Sequence, residues 1–199
     1  MSKEKPASPP EQSWGRKPAK GTPAKNYTDD FKHTGREPIE ISMQPIGVVH
    51  SSYRERFAVP RQPSLDDAQE ATIELVTGLN LDLAVKDLDG FSHIWVIYWM
   101  HLNQGWNTMV TPPRGPKVKR GLFATRAPHR PNSIGLSAVR LIKVEGRTLH
   151  IQGHDMLDGT PVLDIKPYLP YADAFPDASS GWVGETGVAE MKESINTGS

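Results

Sequence analysis

The sequence predicts a mainly β fold, an antiparallel barrel with few short helices. Three observations lead there. Short apolar or alternating runs recur between residues 46 and 165, each bounded by Gly, Pro, Asn or Asp. A single stretch, 81–88, has helical spacing. No regular strand–helix alternation appears, which argues against a doubly wound parallel sheet.

Ile46-Gly-Val-Val-His-Ser-Ser52 reads as the first strand and Ala71-Thr-Ile-Glu-Leu-Val76, which alternates, as the second. In 81–88, Leu81, Ala84, Val85 and Leu88 share a helical face, with Asn80 placed to cap its start and Gly90 to close it. Residues 93–102 are rich in aromatic and β-branched side chains and predict a long buried strand. A further strand is expected over 118–125. The runs 134–144 and 149–155 flank Glu145-Gly146-Arg147, a hairpin signal. Leu149, Ile151 and Gly153 alternate with His150, Gln152 and His154, so the first set should be buried and the second polar. Asp158-Gly159 predicts a turn, and 162–165 the next short strand. Three segments follow: a flexible Pro/Lys-rich tail over 1–38, a barrel domain over 39–180 and an irregular end over 181–199.

Composition excludes several classes of function. There is no cysteine, so disulfides, thiolate metal sites and cysteine nucleophiles are out. The polar start Met1-Ser-Lys-Glu-Lys5 is unlike a secretory signal. The apolar run 94–100 is too short to cross a bilayer. A cytoplasmic protein with no membrane partner is the expectation. The net charge is zero, yet 111–147 carries nine Lys/Arg against one acid, Glu145. A basic band inside a neutral chain fits a local anionic partner, or a solvated basic face.

The motif richest in chemistry is Gly121-Leu-Phe-Ala-Thr-Arg-Ala-Pro-His-Arg-Pro-Asn132. Arginine forks hold carboxylates, phosphates and polar heterocycles in fixed geometry, and the neighbouring prolines stiffen the loop that carries them. Val59-Pro-Arg-Gln-Pro63 repeats the theme with Arg61, and Gln62 adds an amide able to read a heterocycle edge. Asp158-Gly159-Thr160-Pro161 can present backbone groups, a hydroxyl and a carboxylate to a nucleoside, or be an ordinary β-turn. His101, where the apolar run ends, either faces a pocket or packs at the strand end. His150 and His154 have the spacing of a helical metal pair, but on a strand they stand about 13 Å apart. Packing and hydrogen bonding by neutral rings is the better reading, and no metal is expected. Gly-rich dinucleotide loops, phosphate loops and nucleophile elbows are absent.

Five blocks occur together in one family: Pro45–Ser52, Pro60-Arg61-Gln62, Gly90–Val96, Gly121–Asn132 with Ile134-Gly135, and Leu157-Asp-Gly-Thr-Pro-Val-Leu-Asp-Ile-Lys-Pro-Tyr168. Through them the chain resembles the TsaA-like or TrmO family of tRNA methyltransferases, over about 45–177. The resemblance implies an antiparallel β-barrel, a homodimer and S-adenosylmethionine as methyl donor. It implies methylation of the N6 nitrogen of threonylcarbamoyladenosine beside the anticodon of threonine tRNA. Carried over by motif, the cofactor site would comprise Pro60, Arg61, Gln62, His101, Arg126, Leu136, Asp158, Gly159 and Thr160. Arg126 or Arg61 would hold the donor's carboxylate, and the 158–160 turn its adenosine. Arg114, Lys117, Lys119, Arg120 and Arg130 become candidates for the tRNA backbone, with Arg130 alternatively bracing its own loop. No residue is singled out as proton acceptor. Two alternatives keep the cofactor: a small-molecule methyltransferase, and a non-catalytic binding module. Ser133 and Ala127 depart from the family's common proline and serine. Longer bacterial members carry a C-terminal module that these residues do not include.

Overall fold

The structure, a computed structural model, describes residues 41–55, 59–60, 62–63, 69–113 and 116–185. The chain divides into two units, Met1–Ser42 and Met43–Ser199, and the barrel lies in the second. The expected tail at 1–38 and most of the expected end at 181–199 lie outside the described residues, as do Arg61 and Arg114.

Six antiparallel strands close into a barrel. They are β1 (Gly47–His50), β2 (Glu70–Leu75), β3 (His93–Trp99), β6 (Ile134–Glu145), β7 (Thr148–Gln152) and β8 (Pro161–Pro167), in the order β1-β2-β7-β6-β3-β8. Closure comes from β8 pairing with β1 through Gly47↔Val162, which leaves no open barrel edge. Alternation does what the sequence requires. Val49, Ile73, Ile94, Val96, Leu149, Ile151 and Val162 point inward and are fully buried. Each such side chain stabilises the fold by about 1.5–3 kcal/mol. The β6–β7 hairpin pairs Glu145 with Thr148 across a two-residue turn. A ribbon of β4 (Met109–Val110) and β5 (Arg120–Gly121) stands apart from the barrel sheet.

Several expectations need correction. The helix over 81–88 is a single turn, α1 (Leu81–Ala84), followed by a 3-10 turn, Leu88–Gly90. Asp87 at φ 65 interrupts what the spacing would continue. Asn80 is itself left-handed, at φ 53, and its side chain makes no cap bond. The strand over 118–125 contracts to Arg120–Gly121, because Leu122–Ala124 winds into a 3-10 turn with Thr125 N donating to Leu122 O (3.1 Å). The strand over 93–102 ends at Trp99, and Asn103 N turns back to Met100 O (3.1 Å). His154 is buried rather than polar-facing, at 1% exposure. Strand β7 stops at Gln152 and Gly153, at φ 73, turns the chain, so the period-two alternation no longer applies.

Beyond β8, α2 (Pro170–Asp173) lies against the outer face of β3, where Trp95 Nε1 donates to Asp173 Oδ2 (3.0 Å). A last turn, α3 (Trp182–Glu185), returns to the 121–124 segment. No helix among the described residues is long and apolar enough to cross a membrane.

Candidate functional site

The loop carrying Arg126 is built by its own hydrogen bonds. Thr125 Oγ1 donates to Leu122 O (2.8 Å) and accepts from Ala127 N (3.3 Å). Arg130 Nη1 donates to the carbonyls of Thr125 (3.0 Å) and Ala127 (3.3 Å), and its guanidinium lies over the Phe123 ring. Arg130 therefore braces the loop. Trp182 Nε1 donates to Ala124 O (2.8 Å), and Arg120 sits over the Trp182 ring at 5.2 Å. Two of the cations expected to contact RNA thus hold the segments on either side of Arg126. Lys117 and Lys119 are exposed, with Lys117 Nζ also reaching Pro113 O (3.1 Å).

Arg126 meets two groups. Its Nη1 lies 3.5 Å from Gln62 Oε1, which joins the two proline-braced motifs. Its positive charge also acts on the carboxylate of Asp155. Asp155 accepts a short bond from Ser137 Oγ (2.5 Å) and a longer one from Tyr98 Oη (3.5 Å). Burial raises the Asp155 carboxyl above its ordinary value, opposed by the Ser137 bond and by Arg126. Burial also raises the Tyr98 hydroxyl, and the Asp155 charge adds to the effect.

The sign of this shift gives a test. A raised carboxyl contributes stability that is fully present below its unfolded value and is lost as pH rises through the folded one. Asp155→Asn has no such titration. The stability of wild type relative to this variant is therefore expected to fall as pH rises from the acidic range toward neutrality, as read by urea unfolding at a series of pH values. A flat difference would remove Asp155 from the buried position.

The 158–160 turn follows Asp155 in the chain and is stitched to β1. Asp158 N donates to Tyr53 O, Gly159 N to Val49 O (both 2.8 Å) and Thr160 N to Leu157 O (3.2 Å). Its N–H groups are thus used internally. Thr160 is buried, and Gly159 turns the chain at φ 76, a conformation that suits glycine. What faces outward is Gly159 and the half-exposed Asp158 carboxylate, which accepts from Ser51 N (3.1 Å). A surface cavity of about 410 Å³ opens beside it, lined by His50, Thr72, His150, Glu70 and Arg54 among others.

The remaining expected residues sit around this end. Leu136 projects from the outer face of β6 beside Ser137, opposite Ile97. Pro60 is half-buried. His101 follows β3, with its ring edge-on to Trp99 (6.3 Å). His150 and His154 do not form a pair. His150 Nε2 faces Glu145 Oε2 on the surface (2.9 Å), whereas His154 packs inside against Tyr53 (5.1 Å).

Tyr98, Ser137 and Asp155 were not singled out from the sequence as site residues. Ser137 did carry a signal: it is the hydroxyl in the inward set Gly135, Ser137, Val139, Leu141 of β6, and a polar side chain on an apolar face is informative.

These features define a closed antiparallel barrel protein, with the arginine loop and the Asp158 turn as its candidate site. Residues 48–174 match the model of the tRNA-methyltransferase O N-terminal domain, and the chain belongs to that family. The tRNA (adenine(37)-N6)-methyltransferase of Escherichia coli K12 is 43% identical over 162 residues, covering 78% of this chain and 69% of that protein. A Pyrococcus abyssi protein named "Probable S-adenosyl-L-methionine-binding protein" is 40% identical over 161 residues, covering 81% and 85%. A crystal structure of TrmO from Pseudomonas aeruginosa superposes with a TM-score of 0.63 at 44% identity, covering 73% of this chain and 64% of that one. The match covers 31% of the mouse tRNA (adenine(37)-N6)-methyltransferase.

Proposed function

We propose that this chain is an S-adenosylmethionine-dependent methyltransferase of tRNA. Its target is the N6 nitrogen of threonylcarbamoyladenosine next to the anticodon of threonine tRNA. One observation carries the reading. Asp155 joins the two motif blocks, feeling the charge of Arg126 from the 121–132 loop and accepting a bond from Ser137 beside Leu136, three residues before the Asp158 turn. Family membership and the names of the relatives support the cofactor and the RNA.

The residues present fit that cofactor. Arg126, with Gln62 beside it, offers a fork for a carboxylate. The Asp158 carboxylate offers an acceptor for nucleoside hydroxyl or amino groups. When bound, S-adenosylmethionine supplies a methyl group activated on a sulfonium. Transfer to nitrogen is a direct displacement, so holding donor and acceptor in line supplies much of the rate. Arg126 and the 158–160 turn do the holding. Pro60, Arg61, His101, Gly159 and Thr160 complete the cofactor site. Lys117, Lys119 and Arg114 offer charge to the RNA backbone, with Arg120 and Arg130 nearer the loop.

The protein works as a cytoplasmic homodimer. Trp99 and Ile134 pair across β3 and β6 with Leu136 on the same outer face, and they are 49%, 39% and 57% exposed. A contiguous apolar surface of this kind suits a second copy.

The test supplies purified protein with methyl-labelled S-adenosylmethionine and threonine tRNA. Label is expected on tRNA bearing the threonylcarbamoyl group and not on tRNA lacking it. Cofactor binding without transfer to any tRNA would leave the small-molecule enzyme or the binding module in its place.

A further inference from the structure

We infer that Asp155 is the counter-charge for the cationic part of the methyl donor, and that it makes the site prefer the sulfonium over the neutral thioether product. The inference rests on the proposed S-adenosylmethionine site. It assigns a role to a partly buried acid that carboxylate and adenosine recognition leaves unused.

Asp155 is held rather than merely enclosed. Both hydroxyl neighbours, Ser137 and Tyr98, address the same carboxylate oxygen, Oδ1. Ser137 has one proton and spends it on Asp155, so the Tyr98 proton lies between Ser137 Oγ (3.3 Å) and Oδ1 (3.5 Å). The Tyr98 ring is fixed in turn, 7% exposed and seated over Gly135. Asp155 is not sealed off, being of intermediate exposure. The side chain therefore has one oxygen anchored and an edge left for a ligand.

Charge balance then selects the ligand. Arg126 is the cation that acts on Asp155. A ligand carboxylate that engages Arg126 draws on the charge that compensates Asp155. An anion alone would thus leave a desolvated carboxylate poorly balanced, which is costly. The methyl donor carries a carboxylate, an ammonium and a sulfonium, a net charge of one positive, and restores the balance. The thioether product has lost the sulfonium charge, so it binds with one favourable interaction fewer.

Calorimetric titration of wild type and Asp155→Asn with S-adenosylmethionine and S-adenosylhomocysteine tests this. In the variant, affinity for the donor should fall about tenfold, while affinity for the product stays within about twofold, so the preference collapses. Equal losses for both ligands, or no change in either, would overturn the inference and leave Asp155 a structural group. Should Asp155→Asn not fold, Ser137→Ala replaces it. It removes the bond that helps keep Asp155 ionised, so donor preference must again fall, and an unchanged ratio overturns the role. Absence of donor binding by the wild type would overturn the site itself, and the inference with it.

Discussion

Replacing Arg126 by alanine is expected to weaken S-adenosylmethionine binding about 10- to 150-fold, because a hydrogen bond to a charged group is worth about 1.5–3 kcal/mol. The variant isolates the side chain. The loop around it is held by Thr125 Oγ1, by Arg130 on two carbonyls and by Trp182 on Ala124 O, and none of these bonds uses the Arg126 guanidinium. The fold should therefore persist. Arg126→Lys should recover part of the affinity, since lysine supplies the charge without the planar fork. Calorimetry on folded protein reads both. Unchanged affinity in Arg126→Ala would take Arg126 out of the site.

The second large effect is expected at Gly135. It lies directly opposite Tyr98 in the β3–β6 ladder, and the Tyr98 ring occupies the space where a Cβ would stand. Gly135→Ala forces that ring aside, with its hydroxyl bonds to Ser137 and Asp155. Overpacking of this kind costs about 1–3 kcal/mol. In a domain of this size each kcal/mol lowers Tm by about 2–4 °C. Gly121→Ala is the control, because nothing lies within 4 Å of the position its Cβ would take. Denaturant midpoints for the two variants should separate clearly. A Gly135→Ala protein as stable as wild type would mean that Tyr98 does not cover this glycine.

The barrel was legible where one physical signal dominated. Strands β2 and β7 each bury every second side chain, so period-two alternation located them, and aromatic and β-branched content located β3. It failed where local hydrogen bonding beats pattern. Residues 118–125 have strand-like composition, yet Leu122–Ala124 winds into a 3-10 turn closed by Thr125 N on Leu122 O. The 81–88 spacing is helical, but Asn80 and Asp87 both take positive φ, and only one α-turn survives. His154 followed the alternation on paper and left it in space, because parity stops carrying information where a strand ends.

The candidate site divides along the same line. Arg126, Gln62 and the Asp158 turn stand out because arginine braced by proline, and Asp-Gly before Thr-Pro, are unusual chemistry for plain loops. The contact of Arg126 with Gln62 and its charge on Asp155 are long-range features. Tyr98, Ser137 and Asp155 come from three separate segments, β3, β6 and the stretch after β7, and the pairing of β6 with both β3 and β7 brings them together. The basic band shows the limit of counting charge. Arg120 and Arg130 belong to it, yet one stacks on Trp182 and the other braces its own loop.

The most direct measurement is calorimetric titration of the purified wild-type chain with S-adenosylmethionine. Saturable binding is expected, weakened by Arg126→Ala and by Asp158→Ala but not by Lys166→Ala, which lies on the exposed side of β8. A titration showing no binding to folded protein would contradict the assignment of this end of the barrel as the cofactor site.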